Sequence, residues 1–311
     1  ILLIGLILVV GGVVLYPVAV LVHGSFRSGQ PWNPGEFTIQ NYVDAYLSQE
    51  TYVLLANTFA YSGGMTLIAV VIGTSLSWVV TRTNTPLRKQ FEVLAFVPYL
   101  FPYFLIAIAW VLLLSPRSGY INLALKAIGV SEPLFNIFSI WGMIWVGALG
   151  MVPVVFLMVS AALSRIDVSL EESARICGSG PISTTFRITF KLILPAILSA
   201  TIFSFIIGLE SFDTPVFIGS PAKIFVFTTA IYRAIFVTEP PDYSLASALA
   251  MTLLGFTLVL VSLYRKVTKR AESFVTVTGK GYARSIIDLR KSKYVASAVF
   301  AGYFSISLAL P

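Results

Sequence analysis

The feature that most limits what this chain can fold into is a succession of long apolar stretches with almost no charge inside them. Crossing the hydrocarbon core of a bilayer takes ~20 apolar residues in a helix. Runs of about that length recur at Ile1–Val22, Leu54–Val80, Phe91–Leu114, Phe138–Leu163, Leu192–Val216, Ser244–Tyr264 and Tyr294–Leu310. Of the 311 residues 57% are hydrophobic and 11% charged, where a soluble domain carries roughly 25% charged. The expectation is an all-α, polytopic membrane protein. Ile1–Leu21 lacks a small-residue cleavage pattern and is followed by further spans, so it reads as a retained first helix rather than a cleaved signal. The chain starts without Met inside one apolar run and stops at Pro311 inside another, which reads as truncation at both ends.

The loops set a direction. Arg82, Arg88 and Lys89 follow the second run, and Arg165, Arg175, Arg187 and Lys191 follow the fourth. Arg265, Lys266, Lys269, Arg270, Lys280, Arg284, Arg290, Lys291 and Lys293 follow the sixth. The opposite loops hold only Arg27, Arg117, Lys126, Lys223 and Arg233. Positive-inside bias puts the three basic loops, and with them the N-terminus, in the cytoplasm. The net charge of +7 is spread along the chain beside apolar spans rather than gathered on one face, which argues against nucleic acid. "SGQPWNPGEF" and "TEPPDYS", dense in turn residues, fall on the external side.

Signs of chemistry are missing. The Gly279–Lys280 pair has Phe274 and Gly281 where a phosphate-binding loop needs Gly and Ser or Thr. H-E-x-x-H, G-x-S-x-G and a dinucleotide fingerprint are absent too, so an enzyme is disfavoured and no cofactor is expected. One cysteine, Cys177, and one histidine, His23, make neither a disulfide nor a metal set. Cys177 reads as a small packing residue and His23 as an interfacial one.

Ionisable groups within spans are costly and become functional candidates. Glu210 and Asp213 in "GLESFDTPVF" lie near the external end of the fifth run. They read either as the lining of a transport path or as a helix end reaching interfacial water before Pro215. Pro98 and Pro102 in "FVPYLFPYFLIAIAW" remove two helical hydrogen bonds one turn apart. Broken helices of that kind line pathways in transporters, although proline is common in membrane helices generally. Asn57, Thr58, Ser62, Gly63 and Gly64 give the second run a small face suited to close helix packing.

The segment "RIDVSLEESARICGSGPISTTFRITFKLILP", Arg165 to Pro195, interrupts the apolar pattern with charge and glycine. Asp167 or Ser169 can cap a helix, Glu171 and Glu172 sit in its first turns where the dipole favours anions, and Gly178, Gly180 and Pro181 end it. A second short helix is expected from Ser183, with Phe186, Ile188 and Phe190 as apolar contacts and Arg187 and Lys191 at the water boundary. Two short helices meeting at a glycine make a compact knob, able to pass force from a cytoplasmic partner to the spans.

Glu172-Ser173-Ala174, three residues, Gly178, then Phe186, Ile188 and Pro195 resemble the E-A-A…G…P loop of permease subunits of binding-protein-dependent ABC importers. Lys191 stands where that family usually has a proline. "FTIQNYVDAYLS", "LLANTFAYS", "DTPVFIG", "TTAIYRAIF" and "FVTVTGKGYARSIIDL" further resemble the first half of iron(III)-type permeases, in which two units are fused. The resemblance implies a bacterial inner-membrane, type I importer domain whose loop, about residues 165–191, docks on a separate cytoplasmic ATPase subunit. Glu171, Glu172, Ala174, Gly178, Phe186, Arg187 and Pro195 would carry that coupling. A periplasmic or extracellular solute-binding protein would deliver the solute, ferric iron being one candidate beside thiamine, phosphonate and polyamine. On this reading residues 1–267 form a first permease unit, 268–293 a cytoplasmic linker and 294–311 the start of a second unit. Ile1–Pro17 and Tyr294–Pro311, each an apolar stretch ending in proline, suggest the same repeat. A gradient-driven secondary transporter or channel, or a scaffold with no path, are the readings from other classes.

Overall fold

The computed structural model describes residues 2–166, 168–273 and 286–309, so the expected cap at Asp167 and the Gly279–Lys280–Gly281 stretch lie outside the described residues. The described chain is helical throughout, with isolated bridges rather than strands. The helices are α1 (Leu2–Ser25), α2 (Gln40–Leu47), α3 (Gln49–Arg82), α4 (Arg88–Leu94), α5 (Tyr103–Leu114), α6 (Tyr120–Ala127), α7 (Ile140–Ser164), α8 (Val168–Ile176), α9 (Pro181–Thr184), α10 (Phe190–Glu210), α11 (Phe227–Phe236), α12 (Tyr243–Ser273) and α13 (Ser292–Phe304).

Among the described residues four helices are long and apolar enough to cross a membrane: Gln49–Arg82, Ile140–Ser164, Thr185–Glu210 and Tyr243–Lys269. Two bent pairs bring the number to six if each pair counts as one span. The third apolar run is one of these pairs. It breaks between Arg88–Leu100 and Tyr103–Leu114 with a 92° turn, because Pro102 supplies no amide hydrogen and takes an extended ψ of 134° as the residue preceding α5. The fifth run is shorter than its apolar composition suggests, since α10 ends at Glu210, where Ser211 turns extended. The last residues of the fifth run, Pro215 and Val216, and the stretch after it that was assigned to an external loop instead form the second bent pair, Pro215–Ala222 and Phe227–Phe236, at 78°. Its short halves and its Pro215, Pro221 and Lys223 disguise it in sequence; Lys223 takes the left-handed conformation that closes the first half.

At the centre, α3 packs along α7 and α10. The approach is close because small residues face the partner helix. A Cβ on Gly73 would stand 2.8 Å from the Val155 side chain, and one on Gly64 would stand 2.6 Å from that of Ile144. The small face of α3 also receives polar contacts: Asn57 Nδ2 donates to the Phe225 carbonyl at 3.0 Å, and the Phe227 N–H donates to Thr58 Oγ1 at 3.0 Å. Around this seam lies a core that includes Tyr61, Met143, Met151, Phe156 and Phe300, all essentially buried. The outward faces stay apolar, with Val9, Val13 and Tyr16 of α1 and Leu258 and Val259 of α12 exposed, as expected where lipid replaces water as the solvent.

The helix that carries the sixth run continues beyond the expected unit boundary to Ser273, and α13 begins at Ser292. Segment 286–309 does not stand apart from what precedes it. Phe300 stacks on Phe91 with ring centroids 4.5 Å apart and meets Phe156 edge-on at 6.4 Å. Ser297 Oγ donates to the Pro86 carbonyl at 3.3 Å.

Candidate functional site

Two regions along α3, one at its Arg82 tip and one beside its middle, gather the candidate residues. The first is the loop between α7 and α10. Its leading helix, α8, is nine residues long and stops at Gly178, whose φ of +83° is a conformation that glycine adopts without steric cost. Nothing lies within 4 Å of where a Cβ on Gly178 would stand. From Pro181 the chain remains helical through a π turn at Thr185–Thr189 directly into α10. The second helix thus starts two residues before the expected Ser183, and Lys191, exposed in its first turn, produces no break. Pro195 is accommodated inside α10, where its carbonyl accepts a hydrogen bond from Ser199 Oγ at 2.9 Å.

The structure separates the two neighbouring glutamates. Glu172 is exposed, whereas Glu171 is 3% exposed and accepts a hydrogen bond from Thr189 Oγ1 at 2.8 Å. Its carboxylate lies 3.5 Å from the guanidinium of Arg82, itself 3% exposed, which also donates to the Leu163 carbonyl at 3.0 Å. A charge so far out of water is tolerated when an opposite charge and hydrogen bonds meet it. The last residue of α3, the last turn of α7, α8 and the π turn are thereby tied together. Arg82 was read from sequence only as a topology charge; its pairing with Glu171 is a tertiary fact that charge counting does not register.

With α8 anchored by Glu171, an outward surface is left. Ile176 and Phe186 are 86% and 65% exposed, and Cys177, Gly178, Arg187 and Lys191 are exposed around them. Phe186 stacks on Phe190 at 5.2 Å instead of entering the core, while Ala174 is half-buried beneath. The loop thus carries two exposed apolar side chains, Ile176 and Phe186, along with the exposed charges of Glu172, Arg187 and Lys191, on a base fixed by the Glu171–Arg82 pair.

The second region surrounds the end of α10. Asp213 and Glu210 line a cavity of about 290 Å³ together with Tyr61, Met65, Tyr103, Gly147, Met151, Ser211 and Thr214. Tyr61 Oη and Ser211 Oγ are 3.0 Å apart, Tyr103 Oη donates to the Gly150 carbonyl at 3.2 Å, and Thr257 Oγ1 donates to Glu210 at 3.2 Å. The Tyr103 ring reaches this position only because residue 150 is glycine: a Cβ there would stand 2.3 Å from the ring. Pro98 and Pro102 do not line the cavity. Pro98 is buried in the 3-10 turn Val97–Leu100, and Pro102 starts the helix that carries Tyr103. Sequence reasoning thus named the two carboxylates and missed the two tyrosines; the adjacency of Tyr103 to Pro102 was the available signal. Tyr61 lies ~32 Å along α3 from Arg82 at 1.5 Å per residue.

A larger, polar recess of about 830 Å³ lies beyond, between α2, the start of α3 and α11, with Asp44, Glu50, Lys223, Arg233 and Asp242 in its walls. The Arg233 guanidinium sits over the Phe225 ring at 3.9 Å. Among the described residues no three of His, Cys, Asp and Glu converge as a metal-binding group.

Known proteins resemble the chain in the same sense. It is 25% identical over 305 residues to the ferric transport system permease protein FbpB of Actinobacillus pleuropneumoniae, covering 98% of this chain and 43% of that one. It therefore spans less than half of the length of that relative. It is 24% identical over 270 residues to the putative 2-aminoethylphosphonate transport system permease protein PhnU of Salmonella paratyphi A, covering 85% of this chain and 89% of that one. In fold it resembles a chain of a bacterial ABC transporter involved in the import of the acidic polysaccharide alginate, with a TM-score of 0.71 and 22% identity over 86% of this chain and 95% of that one. The model for the binding-protein-dependent transport system inner membrane component matches residues 51–273, most of the described chain, and the protein belongs to that family of multi-pass inner-membrane subunits.

Proposed function

We propose that this chain is the membrane-spanning permease unit of an ATP-driven solute importer, and that the loop from α8 to the π turn docks on a separate cytoplasmic ATPase subunit. The observation that carries the reading is the pairing of a buried anchor with exposed apolar side chains. Glu171 and Arg82 fix the loop to α3 and α7, while Ile176, Phe186 and Gly178 are exposed. Exposed apolar side chains set among charged ones suit a protein interaction site. The concentration of basic residues at this end supports placing it, with the start of α1, on the cytoplasmic side.

In this proposal the chain hydrolyses nothing itself. A solute-binding protein meets the opposite end, and the cavity holding Glu210, Asp213, Tyr61 and Tyr103 borders the path. Ferric iron is the proposed solute, supported by the match that covers 98% of this chain. The comparably aligned 2-aminoethylphosphonate relative supports an organophosphonate as the second reading. The greater length of the ferric relative supports a further reading, in which segment 294–311 begins a second permease unit joined through the basic segment 268–293.

Gly178→Asp tests the docking. Aspartate tolerates the left-handed region better than most residues, and no atom of the described residues lies within 4 Å of where its Cβ would stand, so the substitution alters mainly what a partner meets. The variant is expected to reach the membrane but to lose co-purification of the ATPase subunits and solute-stimulated ATP hydrolysis. Retention of both would defeat the assignment. Uptake of labelled ferric iron against labelled 2-aminoethylphosphonate by the full-length complex separates the two solutes.

A further inference from the structure

Three stretches remote in sequence meet on the last residues of α3 and the turn after it. From one side, the Arg82 side chain holds Glu171 of α8 and the Leu163 carbonyl of α7. From the other, the backbone of the same residues holds the segment that precedes α13. The Ile287 N–H donates to the Arg82 carbonyl at 2.8 Å, the Asn84 N–H donates to the Ile287 carbonyl at 3.2 Å, and Thr83 and Ile287 form a parallel bridge. Asn84 completes the grip: its Nδ2 donates to Asp288 at 2.6 Å and its Oδ1 accepts from the Leu289 N–H at 3.0 Å. Between the two grips, the buried Thr83 and Thr85 hydroxyls bond each other at 2.6 Å, and Thr83 Oγ1 bonds the Val79 carbonyl.

We propose that Arg82–Asn84 is a transmission joint, in which Glu171 acts through Arg82 as a positioning residue so that displacement of α8 is handed to segment 286–289. This rests on the docking role proposed above for the loop that α8 begins. A buried ion pair resists separation because either charge left behind would lack compensation, so α8 and Arg82 move together. Backbone hydrogen bonds between paired extended segments likewise resist sliding, since a slip breaks all of them at once. A push on the loop therefore reaches two places: the body of the unit through α3 and α7, and the C-terminal segment through Asn84.

Amide hydrogen exchange on the full-length complex in lipid nanodiscs, with its ATPase subunits and with or without Mg-ATP and vanadate, reads both grips without knowledge of the solute. In the wild-type complex, trapping the nucleotide is expected to change exchange in α8 and also at the Ile287 and Leu289 amides. Glu171→Gln is expected to keep the α8 response and lose the response at residues 287 and 289, whereas Asn84→Ala, which leaves the backbone bonds to Ile287 in place, is expected to keep the α8 response and weaken that at residues 287 and 289. Should Glu171→Gln fail to assemble, Asn84→Ala decides alone, because Asn84 is half-exposed and outside the buried pair. A response at 287 and 289 that survives Asn84→Ala undiminished, or that is missing from the wild type while α8 responds, overturns the joint. If α8 itself is indifferent to the ATPase subunits, the docking role fails, and the joint falls with it.

Discussion

The tip of α3 and its middle solve opposite problems. At Arg82 continuous helices and a buried ion pair leave little freedom, and the groups there are bound to fixed partners. Nearer the middle the neighbouring spans are broken, at Pro102 and again before Phe227, and a cavity with two carboxylates and two phenols lies beside them. Unbroken helices are suited to carrying displacement, and interrupted ones to lining a path, because interrupted backbone is tolerated at membrane depth where protein or a cavity satisfies it. One helix thereby keeps rigidity and opening apart, with the ion pair at its tip and the cavity beside its middle.

The sharpest way to break this contrast is at the anchor. Arg82→Met removes one partner of the buried pair and is expected to lower stability by about 3–5 kcal/mol, whereas Glu172→Gln on the adjacent exposed position should stay within about 0.5 kcal/mol. Unfolding in mixed micelles measures both, and similar midpoints would mean that Glu171 is not an anchor. At the cavity, Gly150→Ala pushes a methyl into the Tyr103 ring and is expected to cost about 1–3 kcal/mol. The same unfolding measurement checks it, and solute uptake should fall as Tyr103 is displaced; an unaltered midpoint would show that the ring has room to move. Phe186→Ala, on the exposed loop, should leave the midpoint alone but weaken ATPase-subunit binding roughly tenfold, measured by titration of the reconstituted complex. Unchanged affinity would remove Phe186 from the interface.

The smallest effect concerns pH. The Asp288 carboxyl is held below its ordinary value, first by the Arg290 N–H and then by the Asn84 side chain, with Lys293 and Arg290 adding charge. A lowered value means that the contribution is present at neutral pH and is lost only as the pH falls through that lowered value. Mild acidification should therefore leave the 286–289 segment in place. Anisotropy of a dye attached through Ile286→Cys in a Cys177→Ser background checks this, with release near neutrality counting against it.

How much of this was legible in the sequence follows from what each signal depends on. Long apolar runs answer to one variable, solvent, so α3, α7 and α12 were placed from composition. The run over 215–236 was not, because each half is too short to satisfy a span by itself and its Pro and Lys imitate a loop. The loop around Gly178 was legible as a helix, a stop and a second helix, since caps and glycine act locally. The division of labour between Glu171 and Glu172 was not, because it depends on Arg82 arriving from a different span. The tyrosines of the cavity were hidden for a similar reason: in sequence Tyr61 and Tyr103 look like any aromatic of a membrane helix.

The length of α3 has a mechanical consequence. Its 34 residues extend ~51 Å, well past the ~30 Å hydrocarbon core. Arg82 sits at one tip, while Tyr61 lies only ~7 Å from the midpoint at 1.5 Å per residue. If α3 tilts about its centre, Arg82 travels roughly four times as far as Tyr61 by that spacing. The rod is therefore geared down: a wide swing at its tip becomes a small, stiff adjustment beside the cavity wall.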